Sequence, residues 1–194
     1  MNAKTVDERS IVYVVDDDPS LRDGIRNLFR SIGVTVECFG STTEFLQFKR
    51  PEVPSCLLLD VRLPDMSGLE FQANLDRFGV RMPIVFMTGH ADVPMGVQAI
   101  KGGAIEFLCK PFREEELLDA VRIGLKRDSE RRKADDELSK IQAAFATLTP
   151  REREVMGQVV TGLMNKQIAS NLEISQITVK VHRGSVMLMP VQQR

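Results

Sequence analysis

Two apolar runs in this chain end in carboxylates: Ile11-Val12-Tyr13-Val14-Val15 leads into Asp16-Asp17-Asp18, and Cys56-Leu57-Leu58-Leu59 leads into Asp60. Two later runs end in a hydroxyl and an ammonium, Pro83-Ile84-Val85-Phe86-Met87 before Thr88, and Ala104-Ile105-Glu106-Phe107-Leu108-Cys109 before Lys110-Pro111. Clustered carboxylates repel one another and resist ionising unless a cation offsets them, and hard oxygen ligands of this kind suit Mg²⁺. With a divalent ion and Lys110 beside it, Asp60 could attack phosphorus and carry an acyl phosphate, the two cations offsetting the charge on the phosphoryl oxygens. Thr88 would add a hydrogen bond.

That chemistry requires four strand ends to meet. Short apolar runs bounded by turn residues read as strands of a parallel sheet covered on both faces, and such sheets gather ligands beyond the carboxyl ends of their strands. Simpler roles compete at each position. Asp18, followed by Pro19 and Ser20, is better read as a helix cap, but one cap needs one acid, which leaves Asp16 and Asp17 for other work. Asp60 could serve only the turn-rich loop Val61 to Gly68, Thr88 could be an ordinary strand-end residue, and Lys110 could be a solvated lysine.

The set Val14-Val15-Asp16-Asp17-Asp18, Leu59-Asp60-Val61-Arg62-Leu63-Pro64-Asp65-Met66-Ser67-Gly68, Met87-Thr88-Gly89-His90 and Phe107-Leu108-Cys109-Lys110-Pro111 resembles a response-regulator receiver domain, over about the first two thirds of the chain. The resemblance implies a CheY-like fold and phosphorylation of Asp60 by a phosphohistidine on a sensor histidine kinase. It implies Mg²⁺ held by Asp17 directly, Asp16 through water, Asp60, and the backbone carbonyl of Arg62. Lys110 and Thr88 would contact the phosphoryl oxygens, Thr88 and Phe107 would form the switch pair, and the Lys110-Pro111 bond would be cis, a conformation kept almost wholly for proline. Phe107 lacks a tyrosine hydroxyl, so only its packing could report the state of the site.

Further along, Leu21, Ile25, Leu28, Phe29 and Ile32 share one helical face before Gly33, and a strand follows at Val34-Phe39. Helical patterns over 43–49, 68–77, 93–101 and 113–126 complete five strand-helix pairs: an α/β fold with a doubly wound five-stranded parallel sheet. From Lys126 to Glu137 five cations and five anions are interleaved, and Leu138, Ile141 and Phe145 then restore an apolar edge. This reads as an exposed long helical linker prolonging the fifth helix.

At Thr149-Pro150-Arg151-Glu152 a new helix starts, with Thr149 as N-cap and Glu152 positioned for a capping box. Its predicted buried residues are Val155, Val159 and Val160. A turn at Gly162-Asn165, a short helix over Lys166-Leu172, and a helix from a Ser175 cap through Val186 make a small all-α helix-turn-helix domain. The segments Leu148-Val155, Asn165-Ala169 and Thr178-Val179-Lys180-Val181-His182-Arg183 resemble the LuxR/FixJ-type DNA-binding module. That resemblance places Lys180 and Val181 toward the groove, Thr178 beside them, and Lys166, His182 and Arg183 near phosphates or base edges of double-stranded DNA. From Leu148 onward six Lys and Arg oppose three Glu, a modest excess of the sign that phosphates attract. In the resembling family the recognition helix continues and a further helix packs on it. Here Met187-Leu188-Met189 is followed by Pro190, which should stop the helix, and the expectation is an incomplete C-terminal end.

The 194 residues suffice for one full domain and a smaller one, with divisions expected at 1–125 for the receiver, 126–147 for the linker and 148–194 for the helix-turn-helix unit. A net charge of −1 gives no global sign of a polyanionic partner. Cys38, Cys56 and Cys109 lie in or beside apolar runs without metal-ligand spacing and read as reduced core cysteines of a cytoplasmic protein. No run approaches the roughly 20 apolar residues of a membrane span, and Met1–Ser10 does not resemble a signal peptide. The reading is therefore a non-enzymatic two-component regulator, with phosphorylation-dependent homodimerisation as the oligomeric change the family allows. Two alternatives stay open: a receiver acting by protein contact alone, and a haloacid-dehalogenase-type phosphatase with Asp16 as nucleophile and Asp18 as acid/base.

Overall fold

The computed structural model describes residues 10–90 and 93–187. Five parallel strands, β1 (Ile11–Val15), β2 (Thr35–Phe39), β3 (Ser55–Asp60), β4 (Ile84–Thr88) and β5 (Glu106–Cys109), form one sheet in the order β2-β1-β3-β4-β5. Helices α1 (Pro19–Ser31), α2 (Thr42–Gln47), α3 (Gly68–Ala73), α4 (Val93–Lys101) and α5 (Glu114–Thr147) follow the strands in turn. The doubly wound α/β sheet expected from the apolar runs is thus the observed one.

The period of two along each strand divides the core. Val12, Val14, Cys56, Leu58, Val85, Met87 and Leu108 pack with Ile25 and Phe29 of α1 and Leu117, Val121 and Leu125 of α5. Their neighbours Tyr13, Val15, Leu57, Leu59, Ile84 and Phe86 face Phe45 of α2, Phe71 of α3 and Ala99 of α4. Burial on both faces explains why these strands read as unbroken apolar runs.

Local chemistry sets the element ends. The Asp18 carboxylate accepts the amides of Ser20 (2.8 Å) and Leu21 (3.3 Å), so it is the cap of α1. Ile32, expected on the apolar face of that helix, falls just past its end and is half exposed. Cys109 is also a correction: it is exposed, because β5 is an edge strand and only alternate side chains turn into the core, whereas Cys56 is buried.

The largest departure lies in the fifth helix. The chain divides into two compact units after Arg132, and α5 belongs to the first up to that point. Asp128, in the charged stretch read as exposed, is fully buried. Its carboxylate accepts the Ser55 amide at 2.9 Å and pairs with Arg131 and Arg132, each at 2.7 Å, while Arg132 also meets Glu52 at 2.7 Å. The mixing of both charge signs along this stretch hid the residue, because a one-dimensional pattern does not say which turn of a helix meets the sheet.

In the second unit, α6 (Pro150–Val160), α7 (Asn165–Asn171) and α8 (Gln176–Met187) enclose a small core of Val155, Ile168, Ala169 and Val179. The capping box at Thr149 and Glu152 is present. Val155 and Val159, one helical turn apart, face inward, but Val160 is displaced by about 100° from Val159 and is exposed. Gly162, at φ +83°, makes the turn between α6 and α7, a conformation that costs other L-residues a steric clash. Ser175 caps α8 by accepting the Thr178 amide at 3.0 Å. The expected stop at Pro190 lies outside the described residues.

Candidate functional site

Strand register assembles the rim. Val15 pairs with Leu59, so Asp16 emerges beside Asp60; Asp60 itself pairs with Met87, next to Thr88; and Thr88 pairs with Cys109, which precedes Lys110. The four predicted strand ends therefore converge at one edge of the sheet. Lys110 Nζ lies 2.6 Å from Asp16 Oδ2 and 2.6 Å from Asp60 Oδ2, bridging carboxylates 44 residues apart in sequence. The Lys110-Pro111 peptide is cis.

Each acid is held by backbone as well. Asp16 Oδ1 accepts the Asp18 amide at 3.0 Å, and Asp60 Oδ1 accepts the Arg62 amide at 3.0 Å. Asp16 is fully buried and Asp60 nearly so. Burial pushes the Asp16 carboxyl above the ordinary range despite the opposing bond from Lys110. For Lys110 burial acts downward, but the hydrogen bonds to Asp16 and Asp60 outweigh it and hold the ammonium above its usual value. One ammonium thus faces two buried carboxylates, and the exposed Asp17 adds a third acid.

That donor set fits a hard divalent cation. One carboxylate oxygen from each of Asp16, Asp17 and Asp60 lies within 4.8 Å of the others. Mg–O bonds of about 2.1 Å put opposite ligands of an octahedron about 4 Å apart, so a small inward shift suffices. Arg62 is set at the mouth of this cluster by its amide bond to Asp60.

Gly68 closes the loop beneath the acid: its amide bonds to the Val61 carbonyl at 2.9 Å, and a Cβ there would stand 2.3 Å from the Asp60 carbonyl oxygen. Nothing larger than glycine fits. Asp65, in the same loop, accepts the hydroxyls of Thr42 and Thr43 and the Thr43 amide at 2.8–2.9 Å, tying the loop to the start of α2. Desolvation by the packed loop opposes its ionisation although the residue is exposed, but these bonds prevail and bring its pKa down to about 2. No periodicity in the sequence marks this tie.

The predicted switch residues occupy defined places. The Thr88 hydroxyl is engaged with its own loop, accepting the His90 amide at 3.2 Å and lying 3.3 Å from the His90 carbonyl. Phe107 is half buried, its ring 6.3 Å from that of Phe86 and facing Gly96 of α4, where an added Cβ would stand 3.6 Å away.

The predicted DNA-contacting residues separate into two groups. Lys166, Lys180 and Val181 are exposed, whereas Thr178, His182 and Arg183 are half buried on the flanks of α8. The Arg183 guanidinium donates to Asn165 Oδ1 at 2.9 Å, tying α8 to the start of α7. Arg151 pairs with Glu154 at 2.6 Å and donates to the Leu172 carbonyl. Ile177, which the sequence reading passed over, is the most exposed large apolar residue among the described side chains of α8.

A two-one-three-four-five parallel sheet with an Asp-Asp-Lys rim, joined to a helix-turn-helix unit, defines a phosphorylation-type regulator. Residues 12–122 match the response regulator receiver domain, and residues 146–188 match the luxR family of bacterial regulatory proteins; the chain belongs to the response regulators of this two-domain type. It is 54% identical over 179 residues to nodulation protein W of Bradyrhizobium diazoefficiens, covering 92% of this chain and 79% of that protein. It is 46% identical to the response regulator protein TmoT of Ectopseudomonas mendocina, covering 93% and 82%. Among solved structures, the response regulator StyR superposes with a TM-score of 0.83 at 50% identity, covering 92% of this chain and 90% of that one. Full-length FixJ from B. japonicum does so at 0.57 and 35% identity, covering 95% and 92%. Family membership leaves the dehalogenase-type alternative without support. No helix among the described residues is long and apolar enough to cross a membrane.

Proposed function

We propose that this protein accepts a phosphoryl group on Asp60 from a phosphohistidine of a sensor histidine kinase and thereby controls transcription through its helix-turn-helix unit. The observation that carries the reading is the Lys110 ammonium shared by Asp16 and Asp60, with Asp17 alongside. An Asp60 carboxylate oxygen attacks phosphorus; the new O–P bond forms as the N–P bond breaks, and its electron pair returns to the imidazole of the kinase. Lys110 transfers its hydrogen bonding from carboxylate to phosphoryl oxygen, and the Thr88 hydroxyl leaves His90 for the same group. Phe107 repacks behind it. Asp16, Asp17, Asp60 and the Arg62 carbonyl would hold Mg²⁺, whose charge would offset both the acid cluster and the phosphoryl oxygens.

The working division is a receiver over 1–125, a linker over 126–147 anchored in its first turn by Asp128, and a DNA-binding unit over 148–194. Lys166, Thr178, Lys180, Val181, His182 and Arg183 supply its contacts to double-stranded DNA, and phosphorylation changes affinity by favouring one of two receiver states, with a homodimer as the active form. The protein acts in the cytoplasm as a regulator rather than as an enzyme.

Asp60→Asn tests the assignment. Incubation with acetyl phosphate and Mg²⁺ labels the wild-type chain at one site, and the variant takes no label by intact mass. Persistent labelling at the same stoichiometry contradicts the assignment.

A further inference from the structure

The core of the second unit closes without Ile177 or Val181. Val179 turns inward and is fully buried, while Ile177 is 77% exposed and Val181 63% exposed. At 3.6 residues per turn Ile177, Lys180, Val181 and Gly184 share an arc of about 100° on the opposite side of α8. All four are exposed, and a Cβ built on Gly184 would meet nothing. The second helix of a helix-turn-helix pair therefore presents two branched aliphatic side chains, one turn apart, around a lysine.

The surroundings select the occupant. From Ile174 to Met187 the chain has no acidic residue but carries Lys180 and Arg183, and Lys166 is exposed at the start of α7. A second copy meeting the same arc would bring Lys180 against its counterpart, whereas a polyanion would be drawn to it. On the major-groove edge of a duplex the one apolar group is the C5-methyl of thymine; an aliphatic side chain set over the amino or carbonyl groups of the other bases leaves those groups unpaired. Side chains four apart on a helix lie about 5–6 Å from each other, one to two base-pair steps of about 3.4 Å.

We infer that Ile177 and Val181 form an apolar pair that reads two neighbouring thymine methyl groups in the major groove, with Lys180 between them and the bare Gly184 backbone allowing close approach. This rests on the DNA-binding reading above and assigns Ile177 a specificity role within it.

The experiment uses the full chain treated with acetyl phosphate and Mg²⁺ to select duplexes from a random library, followed by replacement of each thymine of the enriched site by uracil, which deletes only the methyl. Uracil at one position should weaken wild-type binding about fourfold. Ile177→Ala should lose that discrimination at the same position and keep the salt dependence, which reports phosphate contacts; Ile177→Val should retain most of it. An enriched site whose affinity is unmoved by uracil, or is moved equally in wild type and Ile177→Ala, overturns the inference and leaves the DNA-binding reading standing. Self-association that is lost in Ile177→Ala while uracil has no effect assigns the face to a second copy and also overturns it. Failure to enrich any sequence overturns the DNA-binding reading and the inference together.

Discussion

The two ends of the β-sheet each set buried carboxyl groups against cations, two at one end and Asp128 alone at the other, but the charge is balanced at only one of them. At the carboxyl end Asp16, Asp17 and Asp60 face the single ammonium of Lys110, leaving two negative charges uncompensated. At the opposite end Asp128 and Glu52 are matched by Arg131 and Arg132, and the Ser55 amide adds a further donor to Asp128. A buried carboxylate whose charge is already matched by two guanidinium groups has nothing to gain from a ligand and serves as a brace, whereas a cluster short of positive charge is the kind that a cation would stabilise.

The greatest change should come from breaking the balanced end. Asp128→Ala leaves two guanidinium groups and an amide without their shared acceptor and should cost about 3–5 kcal/mol of receiver stability in denaturant titration. The folded fraction should still label at Asp60. A loss below about 1 kcal/mol would show that solvent screens the cluster and that the two ends differ less than their geometry indicates.

Magnesium should act on the other end alone. At tenfold excess over its dissociation constant it should stabilise the wild-type receiver by about 1.4 kcal/mol, with much less gain in Asp16→Asn. Burial raises the Asp16 pKa, so the native state keeps this proton longer than the unfolded chain does. Metal-free stability should therefore fall as pH rises through the shifted value, and the decline should vanish in Asp16→Asn. Equal magnesium stabilisation of both proteins would remove Asp16 from the metal site.

Asp65 sharpens the comparison with a smaller effect, since it sits in the rim loop but is satisfied in the manner of Asp128. Its pKa of about 2 lies below the ordinary aspartate value of about 3.9. The bonds to Thr42 and Thr43 therefore stabilise the fold above pH 4, and that contribution disappears as pH falls toward 2. In Asp65→Asn the thermal midpoint should lose this part of its acid dependence; because the side chain is exposed, the change is modest. An unchanged profile would mean that the loop is held from elsewhere.

Much of the architecture could be read before any coordinates, because a strand buried on both faces needs a continuous apolar run and a parallel sheet places the next polar residue at one common edge. The acids at 16, 17 and 60, the hydroxyl at 88 and the ammonium at 110 were legible for that reason, as was the capping box at Thr149. Asp128 was illegible: among ten interleaved charges nothing distinguishes the one whose helical turn meets Ser55. The exposure of Val160, Ile177 and Cys109 was equally hidden, since apolar character does not reveal which neighbour covers a side chain.

By itself the sequence determined the order of elements, the chemistry at each strand end and the start of each capped helix, all of which depend on contacts within a few residues. The tertiary structure alone decided which charges share a cation, that Lys110 stands between Asp16 and Asp60, and which face of α8 remains open. Those outcomes depend on strand register and helix rotation, which bring together groups distant along the chain and leave no local trace in it.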